Sequence, residues 1–286
     1  LNCHVKSKSR GKIQELRLSI FLLALASNAA AYNADYTHNN YNSETTPTID
    51  GQYTYGDDWA ASLVQPFGTN GFFRDEWTMS PTYYCLIIET ADNTNDPGDY
   101  WEMTFDSTTD GGETPPNGGT APQTDDYKIR VTGHGESATV QWFKGSGTVW
   151  NPIATPGAEL FTYAQSLSTS PMIADPHYIL ELRIEKTSNV LGTVVMGYNW
   201  ASYYAYYDAH EGGYGLQSWP PAPASPDVPN SWGYIPYVMS ANPSPDVPEG
   251  IGIGAVIILS SAAVIAGAVL LRKHQKPNFS ATVTSI

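Results

Sequence analysis

Residues 177–185 read HYILELRIE, with Tyr178, Leu180, Leu182 and Ile184 alternating against Glu181, Arg183 and Glu185. A period of two belongs to a β-strand with one face buried and one face wet, because successive side chains leave a pleated strand on opposite sides. The same period returns in residues 100–105, where Trp101, Met103 and Phe105 alternate with Tyr100, Glu102 and Thr104. Residues 83–90, YYCLIIET, form a third strand-like run, and Cys85 within it reads as a small buried hydrophobe. Residues 127–132 and 138–143 flank Gly133-His134-Gly135-Glu136-Ser137 and predict a hairpin, with Tyr127, Ile129 and Val131 matched to Ala138, Val140 and Trp142. Residues 193–198 and 203–208 follow as further strands. No apolar pattern in residues 47–237 sustains three turns of helix, and turn signals recur at short spacing. The expected fold is therefore all-β, a two-sheet antiparallel β-sandwich of jelly-roll type, with Trp59, Trp77, Trp101 and Trp142 in its core.

The flanks carry different signals. Lys6, Lys8, Arg10, Lys12 and Arg17 precede the apolar run 18–26, and Ala29-Ala30-Ala31 fits a leader-peptidase site, so residues 1–31 read as a signal peptide. Residues 32–46 are polar and without period. Residues 238–249 form a Pro-rich stalk that includes the second copy of Ser-Pro-Asp-Val-Pro. Residues 251–271 carry no charge and, at ~1.5 Å per residue, span a hydrocarbon core of ~30 Å, which predicts one C-terminal transmembrane helix within residues 250–271. Arg272, Lys273 and Lys276 follow it, placing residues 272–286 in the cytoplasm and the sandwich of residues 47–237 outside the cell. The expected partners are thus a lipid bilayer for the helix and an extracellular ligand for the domain.

Charge narrows that ligand. Between the leader and the tail, six Lys and Arg stand against 27 Asp and Glu, a net charge of −21. Such a surface repels nucleic acid and suits divalent cations or neutral ligands. The acids crowd two turns around the strand at 100–105: Asp92, Asp96 and Asp99 before it, Asp106 and Asp110 after it, with Asp125 and Asp126 across a Gly-rich excursion. Hard cations take six to eight oxygen ligands, and short Asp-rich turns supply them, so these seven residues are the candidate calcium ligands. They lack the acidic residue that closes an EF-hand loop.

Aromatic usage makes a separate case for sugar. All eight Trp and all 19 Tyr lie between residues 32 and 237. Pyranose C–H faces stack on indole or phenol rings while neighbouring amides and carboxylates take the hydroxyls. Trp150, Trp200 and Trp219 fall at strand ends or loops beside Asn151, Asn199 and Gln217, and these six are the candidate sugar-binding residues. Catalysis has little support: His134, His177 and His210 show no metal-ligand spacing, and no nucleophile elbow or phosphate loop is present.

The ordered motifs TIDGQYTYGDDW, DEW, DNTNDPGDYWEMTFDSTTDGG, DDYKI, PHYILELRIEK and YYDAHEGGYGLQSWPP resemble the family 9 carbohydrate-binding modules and the wider DOMON-like sandwiches over about residues 47–236. The context is similar to archaeal surface proteins that carry such a module on a C-terminal helix. The resemblance implies two packed antiparallel sheets, calcium in some members and sugar recognition in the best-known ones. Two alternatives accompany it. One is a DOMON-like haem domain for electron transfer, with Met79, Met103, Met172, Met196 or Met239 as ligand candidates; the other is a structural cell-envelope or adhesion protein.

Overall fold

A computed structural model describes residues 31–54, 58–59, 61–79, 82–112, 121–186, 190–191 and 199–240. The leader, the stalk beyond residue 240, the apolar stretch 251–271 and the expected strand at 193–198 lie outside these residues. Among the described residues no helix is long and apolar enough to cross a membrane.

Two sheets form the domain. The first runs through β1 (Asn33–Thr37), β14 (Gly233–Ile235), β12 (Trp200–Asp208), β6 (Tyr100–Asp106), β7 (Asp126–Thr132), β8 (Thr139–Gly145) and β9 (Trp150–Ile153), and β13 (Gly215–Trp219) also pairs with β12. The second runs through β10 (Phe161–Ser168), β11 (His177–Glu185), β5 (Tyr83–Thr90), β4 (Gly71–Thr78), β2 (Asn40–Ser43) and β15 (Tyr237–Val238), with β3 (Gln65–Phe67) also on β4. The pairs at the centre of both sheets are antiparallel; β1 on β14, β2 on β4 and β15 on β2 are parallel.

The alternation read from the sequence sets the core. Trp101, Met103, Phe105, Ile129, Val131 and Trp142 of the first sheet pack with Leu86, Ile88, Leu180, Leu182 and Ile184 of the second. The hairpin register pairs Ile129 with Trp142 and Val131 with Val140, as the pattern requires. Burying each such side chain is worth roughly 1.5–3 kcal/mol, so these residues hold the sheets together.

Two expectations are corrected by the outer faces. Residues 32–46, without period in the sequence, supply β1 and β2, one to each sheet. The face of β11 expected to be wet is covered: Glu181 is fully buried beneath the segment that carries Asp50, Gly51 and Trp59. Its Oε2 accepts from the Asp50 and Gly51 amides at 2.8 Å each, and its Oε1 accepts from Trp59 Nε1 at 2.9 Å. Gly51 makes this contact possible, since its φ is +79° and a Cβ there would lie 2.6 Å from the backbone of Gln165. Trp59 then seals Cys85, Ile87 and Ile179. On the other sheet Trp232 covers Ala201, Tyr203 and Ala205 in the same manner.

Candidate functional site

Three connections meet at one end of the sandwich: residues 91–99 between β5 and β6, 169–176 between β10 and β11, and 209–214 between β12 and β13. They enclose a cleft of about 560 Å³ lined by Asn93, Thr94, Asp175, Asp208, His210 and Tyr214, among others. Its walls are held by side chains reaching back to loop backbone. Asp208 accepts from the amides of His210 at 2.9 Å and Tyr214 at 2.6 Å. Gly213 is needed for this closure, because a Cβ would sit 2.2 Å from Asp208 Oδ2. Asp99 Oδ1 accepts from the Ala209 amide at 2.8 Å, and His210 Nδ1 lies 3.1 Å from Asp96 Oδ2, tying two of the loops together. Tyr214 leaves 44% of its surface exposed, which offers a ring face at the rim.

Beneath the cleft lies a buried polar group. His134, from the β7–β8 turn, is fully buried, with its ring stacked on Tyr178 at 3.8 Å and 3°. Its Nε2 lies 3.4 Å from Asp99 Oδ2, 3.8 Å from Asp92 Oδ2 and 3.3 Å from the Tyr206 hydroxyl. The Tyr206 hydroxyl in turn donates to Asp92 Oδ2. Thr94 donates to Asp92 Oδ1 through its amide at 2.8 Å and its hydroxyl at 2.7 Å. Burial pushes the Asp92 carboxyl up, but the adjacent His134 ring and hydrogen bonds from Tyr206 and Thr94 outweigh it and hold the group down at about 2. Burial raises Asp99.

The seven candidate calcium ligands do not gather at one point. Asp99 precedes β6 and Asp106 ends it, so a seven-residue strand, about 20 Å long, stands between two separate groups. Asp92 and Asp99 join His134, whereas Asp96 turns to His210. Asp106, Asp125 and Asp126 form the second group, with ligand atoms within 4.8 Å of one another; Asp110 is exposed beside it. Asp106 sits directly opposite Asp126 in the β6–β7 pair. Asp106 accepts from the amides of Thr108 at 3.0 Å, Thr109 at 2.7 Å and Gly111 at 2.9 Å. Asp126 Oδ2 accepts from the Gln123 amide at 2.6 Å, but its Oδ1 is buried with no partner among the described residues. Burial, with Asp106 close by, pushes Asp126 up to about 9; burial, with Asp125 close by, pushes Asp106 up to about 7.

The expected sugar residues fare differently. Trp200 and Trp219 are 4% and 3% exposed and belong to the main core, so neither presents a free ring; both stand at strand ends whose register turns them inward. Trp150 is half-buried on the edge strand, with its Nε1 donating to Asp227 at 2.9 Å, Lys128 Nζ 4.9 Å from its ring centre, and its ring parallel to Trp232 at 6.3 Å. Asn151 is exposed beside it. Asn199 is a brace, donating to the Tyr234 hydroxyl and accepting from the Tyr237 amide at 2.9 Å. Gln217 also braces: it accepts from the Thr69 amide at 2.7 Å and donates to the Tyr214 carbonyl at 2.8 Å, which fixes the rim of the cleft. Of the methionines considered for haem, Met103 is fully buried in the core, while Met79 and Met239 are exposed.

No family model matches the sequence, and no curated protein is significantly similar to it. Among solved structures the chain is similar to a family 9 carbohydrate-binding module from Caldicellulosiruptor kristjanssonii in complex with glucose. The identity is 15%, the TM-score is 0.46, and the match covers 73% of this chain and 100% of that one. At this identity and score, no ligand or site residue is carried from that module to this chain.

Proposed function

We propose that the sandwich is a non-catalytic carbohydrate-binding domain, that its sugar site is the loop-end cleft, and that calcium at Asp106, Asp125 and Asp126 stabilises it. The observation that supports the sugar reading is the cleft itself. Its volume of about 560 Å³ falls within the ~300–1,000 Å³ typical of small-ligand sites. Carboxylates, amides and imidazoles suited to sugar hydroxyls converge there beside the open ring of Tyr214. The cleft acids are engaged in fixing loops, Asp208 by two amides and Asp92 by Thr94 and Tyr206, so their free lone pairs serve as pre-positioned acceptors. The test is calorimetric titration with neutral monosaccharides, glucose included, and their oligosaccharides. Saturable 1:1 binding that weakens about tenfold in Tyr214→Ala supports the site; equal binding by that variant sinks it.

The calcium reading draws support from two observations: Asp126 Oδ1 is buried with no partner among the described residues, and Asp126 lies close to two further carboxylates, a set that suits a hard cation. Such an ion would be held by Asp106, Asp125 and Asp126 and would tie the end of β6 to the start of β7. Display outside the cell on residues 251–271 is part of the same proposal and draws on the sequence alone. Protease added to intact cells is expected to release the domain by cutting at residues 238–249; a protected domain would reverse the orientation.

A further inference from the structure

We infer that His134, Asp92 and Asp99 form a second metal site, one for a divalent transition ion of the zinc type rather than calcium, at the floor of the loop-end cleft. The inference stands on hydrogen-bond directions around His134 and does not depend on whether the cleft takes a sugar.

The Gln165 side chain fixes the imidazole. Its Nε2 donates to the Gly133 carbonyl at 3.2 Å, which turns its Oε1 toward His134 Nδ1 at 3.0 Å. An amide oxygen only accepts, so Nδ1 carries the proton. Neutral imidazole then has its lone pair on Nε2, the atom turned to Asp99 Oδ2, Asp92 Oδ2 and the Tyr206 hydroxyl. The single hydroxyl proton of Tyr206 goes to Asp92. Nε2 therefore meets three oxygens that offer it only lone pairs, in a place where His134 and Asp99 are fully buried and Asp92 is 4% exposed. A cation placed among them would meet all of these lone pairs at once.

A proton on Nε2 can be shared well with one acceptor and would leave two carboxylates facing one imidazolium, a net negative charge in the interior. A divalent ion with two carboxylates and neutral imidazole is charge-balanced. The spacing agrees: bonds of ~2.0–2.1 Å in a tetrahedron put ligand atoms roughly 3.3 Å apart, and Nε2 lies 3.4 Å from Asp99 Oδ2 and 3.8 Å from Asp92 Oδ2. An imidazole nitrogen suits zinc, cobalt or nickel, whereas calcium takes oxygen. The outer contacts are those of a metal-binding histidine: Nδ1–H is held by Gln165, and the far oxygens of both acids are held by Thr94 and by Ala209. Asp92 lines the cleft, which gives an ion a way in.

The test uses the full chain, treated with chelator and dialysed, then titrated with Co²⁺, Zn²⁺ and Ca²⁺. The expected result is one Co²⁺ bound with the visible bands of a low-coordinate nitrogen–oxygen site, displaced by Zn²⁺ but not by a hundredfold excess of Ca²⁺. Affinity should fall at least tenfold in His134→Gln and stay unchanged in Asp126→Asn, which separates this site from the calcium group. Should His134→Gln fold poorly, the imidazole nitrogens of the unaltered chain report instead: Zn²⁺ should move the Nε2 resonance and leave Nδ1 protonated. Co²⁺ binding that survives in a folded His134→Gln variant, or an Nε2 that keeps a proton in the presence of Zn²⁺, overturns the inference. Sugar binding that fails while Zn²⁺ binds would count against the cleft reading alone.

Discussion

Replacing Asp126 by Asn should reverse the sign of its effect on stability according to whether calcium is present. The ligand atoms of Asp106, Asp125 and Asp126 lie within 4.8 Å of one another, and at that spacing two unit charges repel by about 3.5 kcal/mol at an effective dielectric of ~20. Asp126 takes part in two of the three pairs, and its buried Oδ1 has no partner among the described residues that offsets the cost. In chelator near pH 7, burial and this repulsion push Asp126 up to about 9, so the native protein must take up a proton to fold; Asp126→Asn needs none and should raise the melting temperature. With calcium at 100 times its dissociation constant, the unaltered protein should gain ~2.7 kcal/mol. For a domain of this size each kcal/mol moves the midpoint by about 2–4 °C, so calcium should raise it by roughly 5–11 °C. The variant has lost one of three carboxylates and should show less than half of that rise. Thermal melts of both proteins followed by circular dichroism, in chelator, calcium and sodium at matched ionic strength, give these comparisons. An equal rise with sodium would make the effect charge screening of an acidic surface, and an undiminished calcium response in Asp126→Asn would refute the ligand assignment.

Other outcomes are expected from the packing and the buried charges. Burial pushes Glu76 up to about 8 and Glu181 up to about 7, so both bind protons more readily folded than unfolded, and the stability they contribute below pH ~4 is lost as pH rises through 7 to 8. Melting temperature should decline from pH 5 to pH 7, and Glu76→Gln should flatten the decline; an unchanged slope in that variant would exclude Glu76 as a source. Trp200→Ala and Trp219→Ala should each cost about 3–5 kcal/mol in denaturant melts, as losses of buried core, and a stability change under 1 kcal/mol would contradict their burial. Lys186 Nζ lies 4.4 Å from the Trp200 ring centre and 4.0 Å from that of Tyr237, has no hydrogen-bond partner among the described residues, and is pulled down to about 7 by burial. Lys186→Met should therefore be neutral or stabilising at pH 6, and a loss above 2 kcal/mol would mean that the charge is compensated.

Strands whose own alternation carries the signal are legible in the sequence. β5 and β11 fall on residues 83–90 and 177–185, because each places a continuous apolar face on the opposing sheet. β1 and β2 are not legible in this way, since NADYT and NYNS owe their place to parallel pairing with strands far along the chain, β14 and β4. The same distance hides the burial of Glu181, whose partner amides are 131 and 130 residues away. The acidic turns are legible, but the division of their carboxylates into two groups is not, since it follows from the length of β6 between them. His134 carries no local signal, because its partners Asp92 and Asp99 come from the β5–β6 connection and Gln165 from β10. The rim tyrosine is likewise hidden among tryptophans whose inward register only the sheet pairing reveals. Tyr214 escapes the core because residues 209–214 form the β12–β13 connection, where no strand face directs it.

Sugar binding at the cleft is the central claim, and amide resonances followed while neutral oligosaccharides are titrated test it most directly. The predicted result is a saturable set of shifts confined to Asn93, Thr94, Asp208, His210 and Tyr214 and their neighbours. Shifts centred instead on Trp150 and Asn151 at the sheet edge, or no shifts with any sugar in the panel, would contradict it.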